Sequence, residues 1–273
     1  MGKSIKFSII MPTYNRADRI QIAINSVLQQ GYDDFELIII DDCSTDNTFD
    51  VVYSNYKNEI EQNKIIYLKN EENRGASYSR NVGLKMAQYS WIAYLDSDNY
   101  LSKNFFHEFA KVIQNSKSHL FYCQEKWLNS GRILGDKFDF DELCKNNFID
   151  MGAFVHHKSF VKKYGGFNTA MKRLVDWELI IRYTSKENPI FIEKPLVYYS
   201  DFSDYPRIGN TISYEDSEII LEQTIKKCQF WRNLKLSTII KKNFSITDDE
   251  DRRHKIVTLG GIRIKIRKRG SRA

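Results

Sequence analysis

The chain has 273 residues with a formal net charge of +6, long enough for one large domain with a full hydrophobic core or a domain with an appendage. Hydrophobic residues make up 42% and charged residues 28%, which is typical of a soluble globular protein, and no apolar run approaches the roughly 20 residues that span a bilayer. The four cysteines lack the spacing of a disulfide framework or a zinc site, and the first apolar run is too short for a signal peptide. We therefore expect a cytoplasmic protein.

Strand and helix patterns alternate through the first 125 residues. Apolar runs of strand length begin at Phe7, Phe35, Ile65, Trp91 and His119. Between these runs, apolar residues recur at helical spacing, and Asn15 and Asp18 form a capping-box pattern before the first helix. Repeated strand–helix units with near-continuous apolar strands predict an α/β fold with a mostly parallel sheet covered by helices on both faces.

The regular pattern fades after Gln124. The segment 127–147 is polar and aromatic, and we expect it to be rich in loops. Further on, the sequence predicts a strand at 152–156 and helices at 158–164, 176–186 and 215–230.

Polar clusters follow three of the predicted strands, at residues 12–15, 41–42 and 96–98. In a parallel sheet the carboxyl ends of the strands meet at one edge, where ligands of open α/β sheets bind. Tyr14 offers an aromatic face for stacking on a base, and the carboxylate of Asp42 can accept a hydrogen bond from a pyrimidine. Asp96 and Asp98 offer oxygen ligands for a divalent cation that neutralises a diphosphate. Taken singly, each cluster is equally well explained as a turn or a helix cap, but together they predict a pocket for a metal-bound nucleotide.

These clusters belong to a series of six short motifs that follow one another along the chain. The series comprises 12–15, 41–46, 73–81, 96–98, 165–168 and 176–179. It resembles the serial motifs of glycosyltransferase family 2, in particular its bacterial inverting sugar transferases, which have the GT-A fold. The resemblance implies the transfer of a sugar from a UDP-sugar, with Mn²⁺ or Mg²⁺, to a hydroxyl of a glycan or lipid-linked acceptor. It also implies a place in the synthesis of a bacterial surface polysaccharide, such as lipopolysaccharide or capsule.

The resemblance also assigns roles to residues on the donor side. The nucleotide-sugar-binding residues that it implies are Pro12, Thr13, Tyr14, Asn15, Asp41, Asp42, Arg74, Arg80, Asp96 and Ser97. Among them, Pro12 and Tyr14 would line the uracil site and Asp42 would bind the uracil. Asp96 and Asp98 match the family's metal-binding DXD motif, and Asp98 is the stronger candidate for direct ligation.

On the acceptor side, Asp176 matches the family's catalytic base. A hydroxyl becomes an effective nucleophile when a positioned carboxylate takes its proton, so one base and one cation suffice for a single displacement. The alternative role for Asp176 is that of a helix N-cap, and Val175 stands where the family often has an acid. Trp177, Glu178 and Gly166 are further candidates for the acceptor site.

We expect three parts in the chain: a nucleotide-sugar-binding half at 1–125, an acceptor-side half of the same domain at 126–235, and a basic C-terminal extension at 236–273. After Gly260 the extension alternates apolar and basic residues. We interpret it as a peripheral contact with an anionic membrane on the inner face of the cell membrane. The alternatives are a solubilising tail or an edge strand docked on the domain.

Two other functions compete with the glycosyltransferase interpretation. A nucleotidyltransferase of similar fold would need a glycine-rich phosphate loop after the first strand, and residues 12–16 do not supply one. A nucleotide-sugar-binding protein without turnover would not need Asp176. No nucleic acid partner is expected, because the chain lacks an RNA-binding motif or a basic–aromatic stripe.

Overall fold

The computed structural model describes residues 4–201, 215–248, 254–259 and 262–267. The chain separates into two compact units, Met1–Ile225 and Lys226–Ala273. The boundaries expected at 125 and 235 stay a prediction, although the main sheet takes strands from both sides of residue 125.

The first unit is a mixed α/β domain. Its strands are β1 (Phe7–Thr13), β2 (Phe35–Asp41), β3 (Ile65–Lys69), β4 (Trp91–Tyr94), β5 (Tyr100–Leu101), β6 (Leu120–Trp127), β7 (Ile133–Leu134), β8 (Phe154–His157) and β9 (Ile190–Tyr199). Its helices are α1 (Ile20–Leu28), α2 (Thr48–Asn55), α3 (Lys57–Glu61), α4 (Ala76–Met86), α5 (Phe105–Gln114), α6 (Phe140–Leu143), α7 (Ser159–Tyr164) and α8 (Val175–Thr184).

The strands form one sheet in the order β3-β2-β1-β4-β8-β6-β9-β5, with β7 paired to β6. The pairs among β1, β2, β3 and β4 are all parallel, as the sequence predicts. The parallel pattern does not continue into the second half of the sheet, because β8 lies between β4 and β6 and is antiparallel to both. The expectation of a mostly parallel sheet therefore holds for the first half, whereas the second half is mixed, because β6 and β9 pair parallel.

Helices cover both faces of the parallel half, which is why every residue of β1 and β2 is buried. On one face, Phe7 stacks on Phe106 of α5 with ring centroids 5.2 Å apart. On the other face, α4 approaches β1 so closely that a Cβ added at Gly83 would lie 2.5 Å from Ile10 Cγ2. The glycine therefore permits the close packing of this helix on the sheet.

Two local expectations differ from the structure. Asn15 does not cap α1: the helix has Arg19 at its N-cap without a side-chain hydrogen bond. The Asn15 side chain instead accepts a hydrogen bond from the Thr45 N–H. The long strand β9 was not predicted, since its polar residues interrupt the alternation and its pairing with β6 shifts register.

The helix α9 (Glu215–Asn243) begins at the end of the first unit and continues into the second. The second unit contains an antiparallel sheet of β10 (Phe244–Asp248), β11 (His254–Leu259) and β12 (Ile262–Arg267), in that order. The strand predicted after Gly260 is therefore present as β12, and its described pairing is with β11. No helix among the described residues is both long enough and apolar enough to span a membrane.

Candidate functional site

The three predicted polar clusters lie at one edge of the parallel half-sheet. Thr13 pairs with Asp41 at the ends of β1 and β2, and Ile10 pairs with Tyr94 at the end of β4. Because β4 ends at this level, the following Asp96 comes level with Pro12. Two loop residues at this edge, Asn15 and Cys43, have positive φ angles of 51° and 67°. Backbone strain of this kind concentrates at functional sites.

The β1 end combines a buried strand with an exposed aromatic ring. Pro12 and Thr13 are buried in β1, whereas Tyr14 is 43% exposed and its ring is open to solvent. Asn15 joins this loop to the β2 end, because its Oδ1 lies 2.8 Å from the Thr45 N–H and its own N–H donates to Ser44 Oγ at 2.9 Å. The loop therefore presents Tyr14 from a fixed backbone.

The two acids at the end of β2 both accept hydrogen bonds from within the chain. Asp41 accepts hydrogen bonds from the Ser44 N–H at 2.8 Å and from the Tyr67 hydroxyl at 2.5 Å. Asp42 is 3% exposed and accepts hydrogen bonds from the backbone N–H groups of Arg74 at 3.0 Å and Gly75 at 2.6 Å. Asp42 therefore fastens the loop before α4 to the sheet edge, and its contact with uracil stays a prediction.

The two arginines of the α4 segment have different environments. Arg74 is half exposed and its guanidinium lies 4.0 Å from the centre of the Tyr78 ring. Arg80 is buried, and its Nη2 donates to Asp96 Oδ1 at 2.6 Å. Burial opposes the charge on Arg80, but the carboxylates of Asp96, Asp176 and Asp150 outweigh it and raise the Arg80 pKa. Arg80 is therefore a permanent positive charge shared by several acids.

The predicted DXD motif lies beside a second arginine. Asp98 Oδ2 is 3.7 Å from Arg16 Nη2, and Ser97 between the two acids is buried. Burial, followed by repulsion from Asp96, raises the pKa of Asp98. A hard divalent cation would relieve that repulsion, and carboxylate oxygens are the ligands it prefers. The acid pair therefore fits a divalent cation in its donor chemistry.

The acid pair does not form a complete metal cage. Within the part of the chain that the structure describes, no group of three or more His, Cys, Asp or Glu side chains is arranged to hold a metal ion. A cation at Asp96 and Asp98 would therefore take further oxygen ligands from water or from a phosphate.

Asp176 lies in the first turn of α8, where the helix dipole favours a negative charge. The residue before the helix, Leu174, has a φ of 57°, a strained value for a bulky side chain. Burial raises the pKa of Asp176, although the charge of Arg80 opposes this shift. A carboxylate with a raised pKa is better suited to accept a proton from a hydroxyl.

The three other acceptor-side candidates make contacts within the chain. Trp177 is half-buried and its Nε1 donates to the Leu143 carbonyl at 2.7 Å. Glu178 is buried and pairs with Arg182 at 2.8 Å, and the same guanidinium donates to the Gly166 carbonyl at 2.8 Å. These contacts hold the turn at Gly166 against α8, and acceptor roles for the three residues stay predictions.

The structure adds two acids that the sequence patterns did not single out. Glu125 of β6 is 1% exposed, and its Oε1 accepts a hydrogen bond from Trp127 Nε1 at 2.9 Å. Asp150 precedes β8, and its Oδ1 accepts one from the Gly152 N–H at 2.7 Å. Burial, reinforced by neighbouring carboxylates, raises the pKa of Glu125 to about 10 and that of Asp150 to about 7. Neither acid belongs to a motif. Their proximity to the other acids depends on segments that are distant in sequence, so the sequence could not predict it.

Known glycosyltransferases resemble this chain in sequence and in fold. Residues 8–132 match the family model of glycosyl transferase family 2. The chain carries a family 2 glycosyltransferase domain. An uncharacterized glycosyltransferase of Haemophilus influenzae is 27% identical over 84% of this chain and 81% of its own length. The UDP-Glc:alpha-D-GlcNAc-diphosphoundecaprenol beta-1,3-glucosyltransferase WfaP of Escherichia coli is 44% identical, but the match spans 34% of this chain and 35% of WfaP.

Solved structures of glycosyltransferases share the fold of this domain. A crystal structure of Staphylococcus aureus TarS 1–349 in complex with UDP-GlcNAc has a TM-score of 0.72 at 22% identity, over 82% of this chain and 66% of that one. The mannosyltransferase PcManGT from Pyrobaculum calidifontis, in complex with GDP-Man and Mn²⁺, has a TM-score of 0.59 at 16% identity, over 74% of this chain and 59% of that one. The likeness to TarS confirms the GT-A fold expected from the sequence.

Proposed function

We propose that this chain transfers a sugar from a UDP-sugar to a hydroxyl of a glycan or lipid-linked acceptor, with inversion, in the synthesis of a bacterial surface polysaccharide. One observation carries the proposal: Arg80 interacts with both Asp96, on the donor side, and Asp176, the candidate base. One guanidinium therefore interacts both with the acid proposed to lie beside the leaving group and with the acid proposed to lie beside the nucleophile.

The relatives support the choice of substrates. WfaP is named for the use of UDP-Glc and of an acceptor on diphosphoundecaprenol, and TarS was crystallised with UDP-GlcNAc. Both point to a UDP-sugar donor for this chain as well. The exposed ring of Tyr14 at the sheet edge is a suitable surface for stacking on the uracil base.

Each residue of the site has a separate role in a single displacement reaction. Asp176 takes the proton of the acceptor hydroxyl as the new bond to the anomeric carbon forms. Arg80 holds Asp96 in place and stabilises negative charge between donor and acceptor. Asp98 and Asp96 would hold Mn²⁺ or Mg²⁺, which when bound neutralises the departing diphosphate. The Mn²⁺ in the PcManGT complex supports this assignment.

The basic extension supports a site of action at a membrane. Arg263, Lys265 and Arg267 alternate with apolar residues in the sequence. Such a basic pattern would bind anionic lipid near a lipid-linked acceptor. We propose a peripheral location on the inner face of the cell membrane.

The proposal is tested by UDP release from a panel of UDP-sugars with Mn²⁺, with Mg²⁺ and with a chelator. The acceptor probe is GlcNAc-α-diphosphate carried on a short lipid. We expect metal-dependent release with at least one donor, and a loss of about 10²-fold or more in Asp176→Asn, the usual contribution of a general base. Glu187→Gln is the matched control, because Glu187 is bound to His119 and Ser118 and has no role in the proposed reaction.

Two outcomes would contradict the proposal in different ways. Full activity in Asp176→Asn would remove this residue as the base, even if transfer by the wild type is observed. Absence of turnover with every donor, together with tight UDP binding, would instead favour a nucleotide-sugar-binding protein.

A further inference from the structure

Asp150 is placed among the reacting groups although it belongs to no motif. Its carboxyl interacts electrostatically with Asp176 and Asp96, and Asp176 exerts the stronger effect of the two. It also contributes to the field around Arg80. The backbone fixes the Asp150 carboxyl, because its Oδ1 accepts a hydrogen bond from the Gly152 N–H at 2.7 Å. There is little free space beside it, since a Cβ added at Gly152 would lie 3.3 Å from the same oxygen. Asp150 is therefore a fixed carboxyl whose electrostatic interaction with Asp176, the candidate base, is stronger than that with Asp96.

One polar atom near Asp150 is buried without a hydrogen bond among the described residues. It is Nε of Arg80, a residue that is 6% exposed. The carboxyl of Glu125 lies beside that of Asp150 and forms a hydrogen bond with it when protonated. Buried polar groups are normally paired, so the unsatisfied Nε beside these acids indicates that a ligand completes the site.

The chemistry of the cluster selects the ligand. Three acids, Asp96, Asp176 and Asp150, act on the charge of Arg80. Burial, followed by repulsion from Asp150, keeps Glu125 protonated at neutral pH. A neutral Glu125 can donate a hydrogen bond toward Asp150, whose carboxylate then accepts one from a ligand. Hydrogen bonds from a hydroxyl to a carboxylate are among the strong ones. Sugars carry neighbouring hydroxyl groups, so one can reach Asp176 while the next reaches Asp150.

We propose that Asp150 binds a hydroxyl of the acceptor sugar next to the one that Asp176 deprotonates, and that Glu125 positions Asp150 for this contact. Asp150 is then a specificity-determining residue for acceptors with adjacent free hydroxyls, and Glu125 is a positioning residue. The inference rests on the proposed function, because it concerns the acceptor of the same reaction.

The test compares transfer with hydrolysis. Activity is measured with UDP-glucose, Mn²⁺ and the short-lipid GlcNAc-diphosphate, then with monodeoxy versions of its sugar, and finally without acceptor. In Asp150→Asn, whose amide oxygen still accepts the Gly152 N–H, we expect the acceptor KM to rise at least 10-fold. The KM for UDP-glucose, measured without acceptor, should stay within twofold of the wild type.

The deoxy acceptors give the sharper readout. A site that hydrogen-bonds a hydroxyl strongly rejects the analogue that lacks it. The wild type should therefore disfavour one deoxy analogue at least 100-fold in kcat/KM, and Asp150→Asn should lose most of this discrimination. A general structural defect would not remove the preference for one hydroxyl.

Glu125 is tested by a pair of variants. Glu125→Gln keeps an acceptor for the Trp127 indole and an N–H donor toward Asp150, so it should retain acceptor KM within threefold of the wild type. Glu125→Met removes both and should raise acceptor KM as Asp150→Asn does. Glu187→Gln again serves as the control away from the site.

The possible failures are distinguishable. If the wild type transfers to no acceptor, the proposed function falls and the inference falls with it. If the wild type transfers and Asp150→Asn keeps the deoxy discrimination, or raises the KM of UDP-glucose instead, the inference alone is wrong. Equal loss in Glu125→Gln and Glu125→Met would overturn the role of Glu125 as a neutral donor.

Discussion

Replacing Glu125 by Gln should change the pH dependence of stability. Glu125 is 1% exposed, and burial, followed by repulsion from Asp150, raises its pKa to about 10 in the folded chain. In the unfolded chain a glutamate has a pKa of about 4.3. Between these values the native protein keeps a proton that the unfolded chain releases. The stability contributed by protonated Glu125 is therefore complete below about pH 4 and is lost as pH rises toward 10.

The magnitude follows from this difference of one proton. Each pH unit over which the native state binds one more proton lowers the free energy of unfolding by about 1.4 kcal/mol. From pH 5 to pH 8 the wild type should lose up to about 4 kcal/mol more stability than Glu125→Gln, which has no proton to lose at this position. The variant keeps the hydrogen bond that Trp127 donates, so the two proteins should be closest in stability at the acid end.

The measurement is urea denaturation at one-unit intervals from pH 5 to pH 8. Asp46→Asn is the control, because hydrogen bonds from Thr48 and Ala17 outweigh burial and lower the pKa of Asp46. The contribution of Asp46 is complete above its unfolded pKa, so this control should differ from the wild type by a constant amount over the range. If Glu125→Gln also runs parallel to the wild type, Glu125 is not a buried neutral acid and the reasoning fails.

Two further predictions concern the acceptor-side turn and the C-terminal extension. In Gly166→Ala the new Cβ would overlap Asn81 Oδ1, which is held by the Phe167 N–H, so we expect a loss of roughly 1–3 kcal/mol in urea denaturation. An unchanged urea midpoint would contradict this expectation and show that the turn moves to accommodate the new Cβ. Replacing Arg263, Lys265 and Arg267 together by Gln should weaken binding to anionic liposomes about 100-fold at low salt, since each basic residue contributes about 1 kcal/mol. Unchanged sedimentation with the liposomes would end the proposal of a membrane contact.

Several features of the domain could be predicted from local patterns. Continuous apolar runs indicate strands buried on both faces, and β1, β2 and β4 appear where those runs lie. Parallel strands end at a common edge, so the clusters after these strands come together without any knowledge of side-chain contacts. The ordered motif series then identified the family, which the family model over residues 8–132 supports.

Other contacts could not be predicted, because a side chain binds a partner that is distant along the chain. Asn15 has the sequence position of a helix cap, yet its amide oxygen binds the backbone of Thr45 in another loop. The pairing of Glu178 with Arg182 is likewise a contact that only the fold shows, and an acceptor role for Glu178 stays a prediction. A hydrogen-bonding side chain takes the partner that the fold brings nearest, and spacing along the chain does not reveal that partner.

The sequence by itself determined the strands of the first half, their parallel direction and the edge where the three polar clusters meet, because these depend on periodicity and chain direction. The tertiary structure alone decided the charge pattern of the site. Arg80 meets Asp96, and Glu125 meets Asp150, only because α4 packs on the sheet and β6 and β8 pair antiparallel. Charge interactions and burial act through space, so the protonation of these acids depends on neighbours that are distant along the chain.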